Sequence, residues 1–284
     1  MSKLSEKMND DMLLSGFSDN TRTVYISCVR RLSKYYNRSP QNISDEEVQQ
    51  YILFLLKKKN LSYSSCNCMV SALKFFYGRT LKYSMTSFYI PSAKQPQKLP
   101  VVPSRKDIKK LFSVAKNLKQ QLILMLAYGA GLRASEIISL QIKNIDSEQM
   151  CIQIEQGKGG KDRYVILSPC LLSTLRNYWH AYHPSTCFFP LEDGSGHIKT
   201  DAIRYIWKQL KKRAKLKKYG GIHSLRHAFA THMLEDGVDL YTIKQLLGHT
   251  SIDTTTRYLR LTKKRLKETT SPLDLLDLPK LMSE

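Results

Sequence analysis

Apolar residues recur along this chain mostly at helical spacing. Val24, Cys28, Leu32 and Tyr35 form one stripe, and Cys66, Met69, Val70, Leu73 and Tyr77 form another. Ser44 and Glu47 have the spacing of a capping box, which predicts a helix from there to Lys59. A more evenly apolar helix starts near Leu118 and ends at Gly129 and Gly131, and a new helix begins at Arg133. Helical spacing then gives way to two short β-branched segments, 151–155 and 164–167. They flank Gly157, Gly159 and Gly160, and they predict a hairpin with a basic tip. Beyond them, Trp207 and Leu210 mark a helix before His223. Leu225, Phe229 and Met233 line a helix from His223 to Leu234 that stops by Gly237. Leu240 to Leu247 forms a shorter helix closed by Gly248, and Ser251 or Asp253 caps the next turns.

The prolines between 89 and 103 cannot continue a helix, and their polar neighbours mark an extended linker. Two domains are predicted: an all-α unit of four helices over 1–88, and a unit over 104–270 that is mainly α with a small antiparallel β-sheet. A tail over 271–284 follows. At 284 residues the chain is long enough for two cores.

A formal charge of +21 calls for a polyanionic partner. A membrane surface is a poor candidate: the longest apolar run, Leu122 to Leu132, is too short to span a bilayer, and no apolar signal region opens the chain. The six cysteines lack paired metal spacing, and Cys28, Cys66 and Cys151 sit on apolar periodic positions. Reduced core thiols in a cytoplasm are expected. The basic residues are interleaved with the fold. Lys208, Lys211, Lys212, Arg213, Lys215, Lys217 and Lys218 surround Trp207 and Leu210, and Lys57 to Lys59 and Lys263 to Lys267 add clusters. The first group is expected to touch DNA.

The densest chemistry lies between His223 and Tyr258. His-Ser-Leu-Arg at 223–226, Leu-Gly-His at 247–249 and Tyr258 bring two imidazoles, a guanidinium and a phenol into one stretch. A phosphodiester under attack gains negative charge, and arginine stabilises it best because its planar fork binds two oxygens at once. Residues three apart on a helix share a face, so His223 and Arg226 aim at one target. Arg133 follows a glycine turn at a helix start, a suitable place for an anion, and Glu136 one turn on is expected to brace the site from behind. Lys158 and Lys161 at the hairpin tip can reach a DNA groove or a leaving oxygen. His227 and His232 are read as packing residues.

Two tempting motifs fail. His223 and His227 have zinc-protease spacing, but position 224 is Ser where that chemistry needs Glu. The stretch Gly-Lys-Gly-Gly-Lys at 157–161 lacks the phosphate-loop spacing and the helix that should follow it.

With Arg133, Glu136, Lys158, His223, Arg226, His249 and Tyr258 in this order, the chain resembles the tyrosine recombinase family, also called phage integrases, over about residues 15 to 265. The motifs are Gly-Leu-Arg-Ala-Ser-Glu, Gly-Lys-Gly-Gly-Lys-Asp-Arg, His-Ser-Leu-Arg-His-Ala-Phe-Ala-Thr-His and Leu-Gly-His-Thr-Ser-Ile-Asp-Thr-Thr-Thr-Arg-Tyr. The simple two-domain kind, which resolves chromosome dimers or moves small elements, is the nearest match. Tyr258 is followed by Leu-Arg-Leu where close relatives have Thr-His.

The resemblance implies that Tyr258 attacks the scissile phosphorus to form a 3′-phosphotyrosyl bond. It also implies that Arg133 and Arg226 clamp the non-bridging oxygens, His223 is the general base and Lys158 the general acid. His249 donates to the phosphate, and Glu136 supports the site. Lys161, Arg163, Lys208, Lys211, Lys212, Arg213 and Lys215 are the expected DNA contacts. No metal or cofactor is needed, so activity in excess chelator is expected. The four-helix unit would be a SAM-like core-binding domain that closes a clamp on duplex DNA with the catalytic domain. The tail, with Leu273, Leu275, Leu276, Leu278 and Leu281, packs on its own domain or docks on a neighbour in a ring of four on two DNA sites. An accessory protein or a second recombinase is compatible with this plan. The rival readings are a type IB topoisomerase-like nicking and resealing enzyme, and a non-catalytic DNA-binding regulator.

Overall fold

The computed structural model describes residues 3–83, 101–155, 162–191, 193, 196–256 and 258–259. Residues 89–100 of the expected linker over 89–103, together with Lys158, Lys161 and the tail over 271–284, lie outside the described residues. The chain divides into two compact units, Met1–Gln97 and Lys98–Glu284.

The first unit contains α1 (Lys3–Leu14), α2 (Asp19–Tyr36), α3 (Asp45–Lys57) and α4 (Tyr63–Phe75), and α4 runs into a π-helical turn at Phe76–Thr80. Ser18, Ser44 and Ser62 cap α2, α3 and α4 by accepting from the backbone N–H three residues on. The capping box at Ser44 is complete, since Glu47 also accepts from the Ser44 N–H. Met8, Met12, Leu32, Val48, Met69, Leu73 and Tyr77 fill the core. The predicted stripe on α2 is only half right. Cys28 and Leu32 are buried with Val29, but Val24 and Tyr35 are exposed. Tyr35 instead lies across the rings of Tyr36, Tyr51 and Phe54 at the core's edge.

In the second unit α5 (Arg105–Ser113) and α6 (Leu118–Gly129) precede the short α7 (Ala134–Ile138). Past the polar Lys119, Gln120 and Gln121 of its first turn, α6 is apolar and runs into the core, with Leu122, Ile123, Leu124 and Leu126 all buried. Strands β1 (Ile145–Asp146), β2 (Cys151–Ile154) and β3 (Arg163–Ile166) form an antiparallel sheet in that order. Ile152 pairs with Val165, and Ile154 with Arg163. A two-residue strand is too short to show alternation, which is why β1 escapes the sequence pattern. Residues 163 and 165 share the inward face of β3 because side chains alternate along a strand.

The sheet leads into α8 (Pro169–Tyr182), α9 (Thr200–Arg213), α10 (His223–Glu235), α11 (Leu240–Leu247) and α12 (Asp253–Thr256). Gly248 closes α11 in the left-handed region (φ 59°), as its position in sequence predicts. Asp239 caps the start of α11, and Ser251 accepts from the Asp253 N–H at the entry to α12. Cys28 and Cys66 are buried, while Cys151 is only half-buried, so the expected core thiol there is a partly exposed one. Among the described residues no helix is long and apolar enough to cross a membrane.

Candidate active site

The site is assembled around a carboxylate. Glu136 lies in the first turn of α7 and is buried, with 7% of its surface exposed. Its carboxylate accepts from the Arg133 N–H at 2.8 Å and from the Arg133 guanidinium at 2.7 Å. Arg163, reaching in from β3, donates to both oxygens at 2.8 and 2.7 Å, and Arg226 Nη1 stands 3.7 Å away. Burial alone would raise the carboxyl's pKa, but the bonds and charges of Arg163 and Arg133 outweigh it and hold the group down at about 2. Glu136 is therefore an anion that organises three arginines.

Arg226, on the first turn of α10, is 1% exposed. It donates to the Gly131 carbonyl at 2.6 Å and to the Leu247 carbonyl. Burial, then the nearby charge of Arg133, lowers its pKa to about 9, which leaves it charged at neutral pH. Arg133 also donates to the Gly248 carbonyl at 3.4 Å. Glycine turns thus hold both guanidiniums. Gly131 has φ 65°, and a Cβ there would meet the Phe229 ring at 2.6 Å.

His223 opens α10 with an exposed edge. Partial burial of its ring, followed by the charges of Arg226 and Arg133, lowers its pKa below the ordinary histidine value. His249 follows Gly248, and its Nδ1 is 2.8 Å from the hydroxyl of buried Thr255. Tyr258 is 1% exposed, packed with Phe229, Leu234, Ile243 and Leu247. Its ring lies parallel to His249, centroids 6.5 Å apart.

The Tyr258 hydroxyl has a partner that the sequence did not single out. His227 Nδ1 lies 2.9 Å from it, and the His227 ring stands edge-to-face on His223 at 4.9 Å. His227 is no mere packing residue. The only sequence signal was its place one turn after His223 and directly after Arg226, and that is a signal a core histidine can equally give. His232 does fit the packing reading: it is buried, with Nδ1 3.0 Å from the Tyr128 hydroxyl.

Arg163 needs correction. Expected to contact DNA, it has a side chain only 8% exposed, engaged with both oxygens of Glu136 and donating through Nε to the Leu246 carbonyl at 2.9 Å. Its strand alternation with buried Val165 turns it inward. The basic group on α9 is divided. Lys208, Lys212 and Lys215 are exposed. Lys211 donates to the Tyr219 and Gly220 carbonyls at 2.5 and 2.8 Å, and Arg213 to the Val114 carbonyl and Gln120 at 3.3 and 3.0 Å. The structure thus brings together Arg133, Glu136, His223, Arg226, His249 and Tyr258, and adds His227 and Arg163.

The profile of the phage integrase family matches residues 104–265, and that of the phage integrase N-terminal SAM-like domain matches residues 4–86. The chain belongs to the phage integrase family. A Sinorhizobium fredii protein named among the integrase/recombinases is 39% identical over 281 residues, 98% of this chain and 91% of its own. The tyrosine recombinase XerA of Pyrococcus horikoshii is 33% identical over 288 residues, 98% of each chain. In fold the chain is similar to the site-specific recombinase XerH in its post-cleavage complex with palindromic difH, with a TM-score of 0.71 at 22% identity, covering 87% of this chain and 78% of that one. As a phage integrase the chain is a tyrosine recombinase in sequence and in fold, and site-specific DNA recombination is its reaction class.

Proposed function

We propose that the chain cuts and rejoins duplex DNA through Tyr258. The observation that carries this reading is the gathering, within one unit, of a phenol, the buried Arg226, the half-buried Arg133 and the imidazoles of His227 and His249 around a buried anion. The Tyr258 oxygen attacks phosphorus, the bond to the 5′ oxygen breaks, and a 3′-phosphotyrosyl link keeps the energy of the broken bond for rejoining. Arg133 and Arg226 take the non-bridging oxygens. A guanidinium has five N–H donors, so the carbonyl bonds that orient Arg226 leave it capacity for a phosphate. Free tyrosine titrates near 10, so the proton needs an acceptor. His223 is that base; its lowered pKa makes it neutral, and so able to accept, at neutral pH. Lys158 supplies the proton to the leaving 5′ hydroxyl, and His249, oriented by Thr255, donates to the phosphate.

The N-terminal helical unit is the core-binding part that grips the DNA beside the cut. Four copies act on two sites, in integration or excision of a mobile element or resolution of dimers. The cytoplasm is the compartment this work requires.

The test is a nicked suicide duplex carrying a site selected by the purified protein from a randomised pool. Wild type forms a covalent adduct, Tyr258→Phe forms none, and two-site substrates yield recombinants. Resealing without exchange would favour the topoisomerase-like reading, and no adduct at all a regulator.

A further inference from the structure

Tyr258 lies just past a helix of only four residues, and the recorded backbone tie at that point is Tyr258 N–H to the Thr255 carbonyl at 3.0 Å. So short a segment sets the position of a side chain poorly, because helix ends fray and a single turn is marginal alone. The phenol ring is nevertheless seated among Phe229, Leu234, Ile243 and Leu247, and two histidines contact it. His249 lies parallel to its ring, and His227 takes its hydroxyl at 2.9 Å. His227 belongs to α10, the helix that also carries His223 and Arg226, so this bond ties the nucleophile's oxygen to the element holding two of the phosphate-directed groups.

We infer that His227 is the positioning residue of the nucleophile: through Nδ1 it fixes the Tyr258 hydroxyl against α10 before DNA arrives. The inference rests on the strand-cleavage reading and adds to it the group that aims the attacking atom. A neutral imidazole with its proton on Nε2 accepts from the phenol at Nδ1 and so fixes the oxygen's position in the DNA-free site; the proton is given up to His223 only in the cleavage step. Correct orientation of reacting groups is worth orders of magnitude in rate, since a misplaced nucleophile spends most of its time in unproductive rotamers.

A buried phenol also needs a partner for stability alone, so the test must separate holding from aiming. Asparagine and glutamine carry the same amide one methylene apart, and only asparagine places it where Nδ1 of histidine lies. Single-turnover cleavage of the nicked suicide duplex is measured for His227→Asn, His227→Gln and His227→Ala, with duplex affinity and thermal unfolding of each. The expected result is cleavage slowed roughly 10- to 100-fold in the Ala and Gln variants, duplex Kd unchanged, and recovery to within about threefold of wild type in the Asn variant. Folded Ala variant that cleaves at the wild-type rate overturns the inference, as does an Asn variant no faster than Gln. In parallel, 15N-histidine spectra of the DNA-free protein should show His227 Nδ1 shifted by Tyr258→Phe, and an unmoved signal also counts against it. Wild type without an adduct would overturn the cleavage reading itself, and the inference with it.

Discussion

Arg163 meets Glu136 fork to fork, its two terminal nitrogens 2.8 and 2.7 Å from the two carboxylate oxygens. The pair joins strand β3 to helix α7 inside the site, and Arg133 and Arg226 lean on the same anion. Removing the charge leaves buried cations without their counter-ion. Glu136→Gln is expected to cost about 3–5 kcal/mol, the range for breaking one side of a buried pair. Urea unfolding measures it, and a loss under about 1 kcal/mol would show that the arginines relax to solvent instead.

The same carboxylate predicts an acid response. Its folded pKa of about 2 lies below the ordinary 4.5, so the folded state binds its proton later than the unfolded chain. Its contribution is complete above the ordinary value and is lost as pH falls from there towards 2, with a ceiling of about 3 kcal/mol. Stability measured between pH 6 and 3 should fall more steeply in wild type than in Glu136→Gln. Parallel curves would assign the acid loss to other groups.

Local signals made much of this site legible. Gly248 ends α11 where a left-handed residue is wanted, and the hairpin strands follow from β-branched runs around glycines. What escaped depends on contacts distant in sequence. Tyr258 and His227 are 31 residues apart and meet only because α11 and α12 fold the chain back onto α10. Arg163 was misread for a different reason. Its alternation with Val165 was present in the sequence, but the basic, glycine-rich neighbourhood pointed to solvent. The carboxylate that draws it inward lies 27 residues earlier.

Gly131 should tolerate no side chain. It combines φ 65° with a 2.6 Å approach of a would-be Cβ to Phe229, and its carbonyl holds Arg226. Gly131→Ala is expected to lose about 2–4 kcal/mol from backbone strain and overpacking, and to slow cleavage by displacing Arg226. Gly129→Ala is the control: nothing lies within 4 Å of its would-be Cβ, so its melting temperature should hold or rise. Equal melting of the two variants would refute the strain argument.

Thr255 is fully buried and gives His249 its hydrogen-bond partner at 2.8 Å. Thr255→Val keeps the shape and removes the hydroxyl, so the imidazole loses that restraint. Cleavage should slow roughly tenfold, with Thr255→Ser close to wild type. Identical rates in all three would mean that contacts other than Thr255 orient His249.

On α9, the buried stripe of Ile203, Trp207 and Leu210 leaves Lys208 and Lys212 on the outer face, with Lys215 just beyond the helix end. Lys211 and Arg213 are instead bound to backbone carbonyls of their own unit. The two sets should therefore separate in experiment. Each phosphate contact releases about one counterion, so replacing Lys208, Lys212 and Lys215 by Gln should lower the slope of log affinity against log salt by roughly 3. Lys211→Gln should leave that slope nearly unchanged but lower the melting temperature, since it takes the Lys211 donor from the Tyr219 carbonyl, whereas the Gly220 carbonyl keeps the Trp207 indole N–H. An unchanged slope in the triple variant would remove α9 from the DNA interface and leave the hairpin tip and the N-terminal unit to supply the charge.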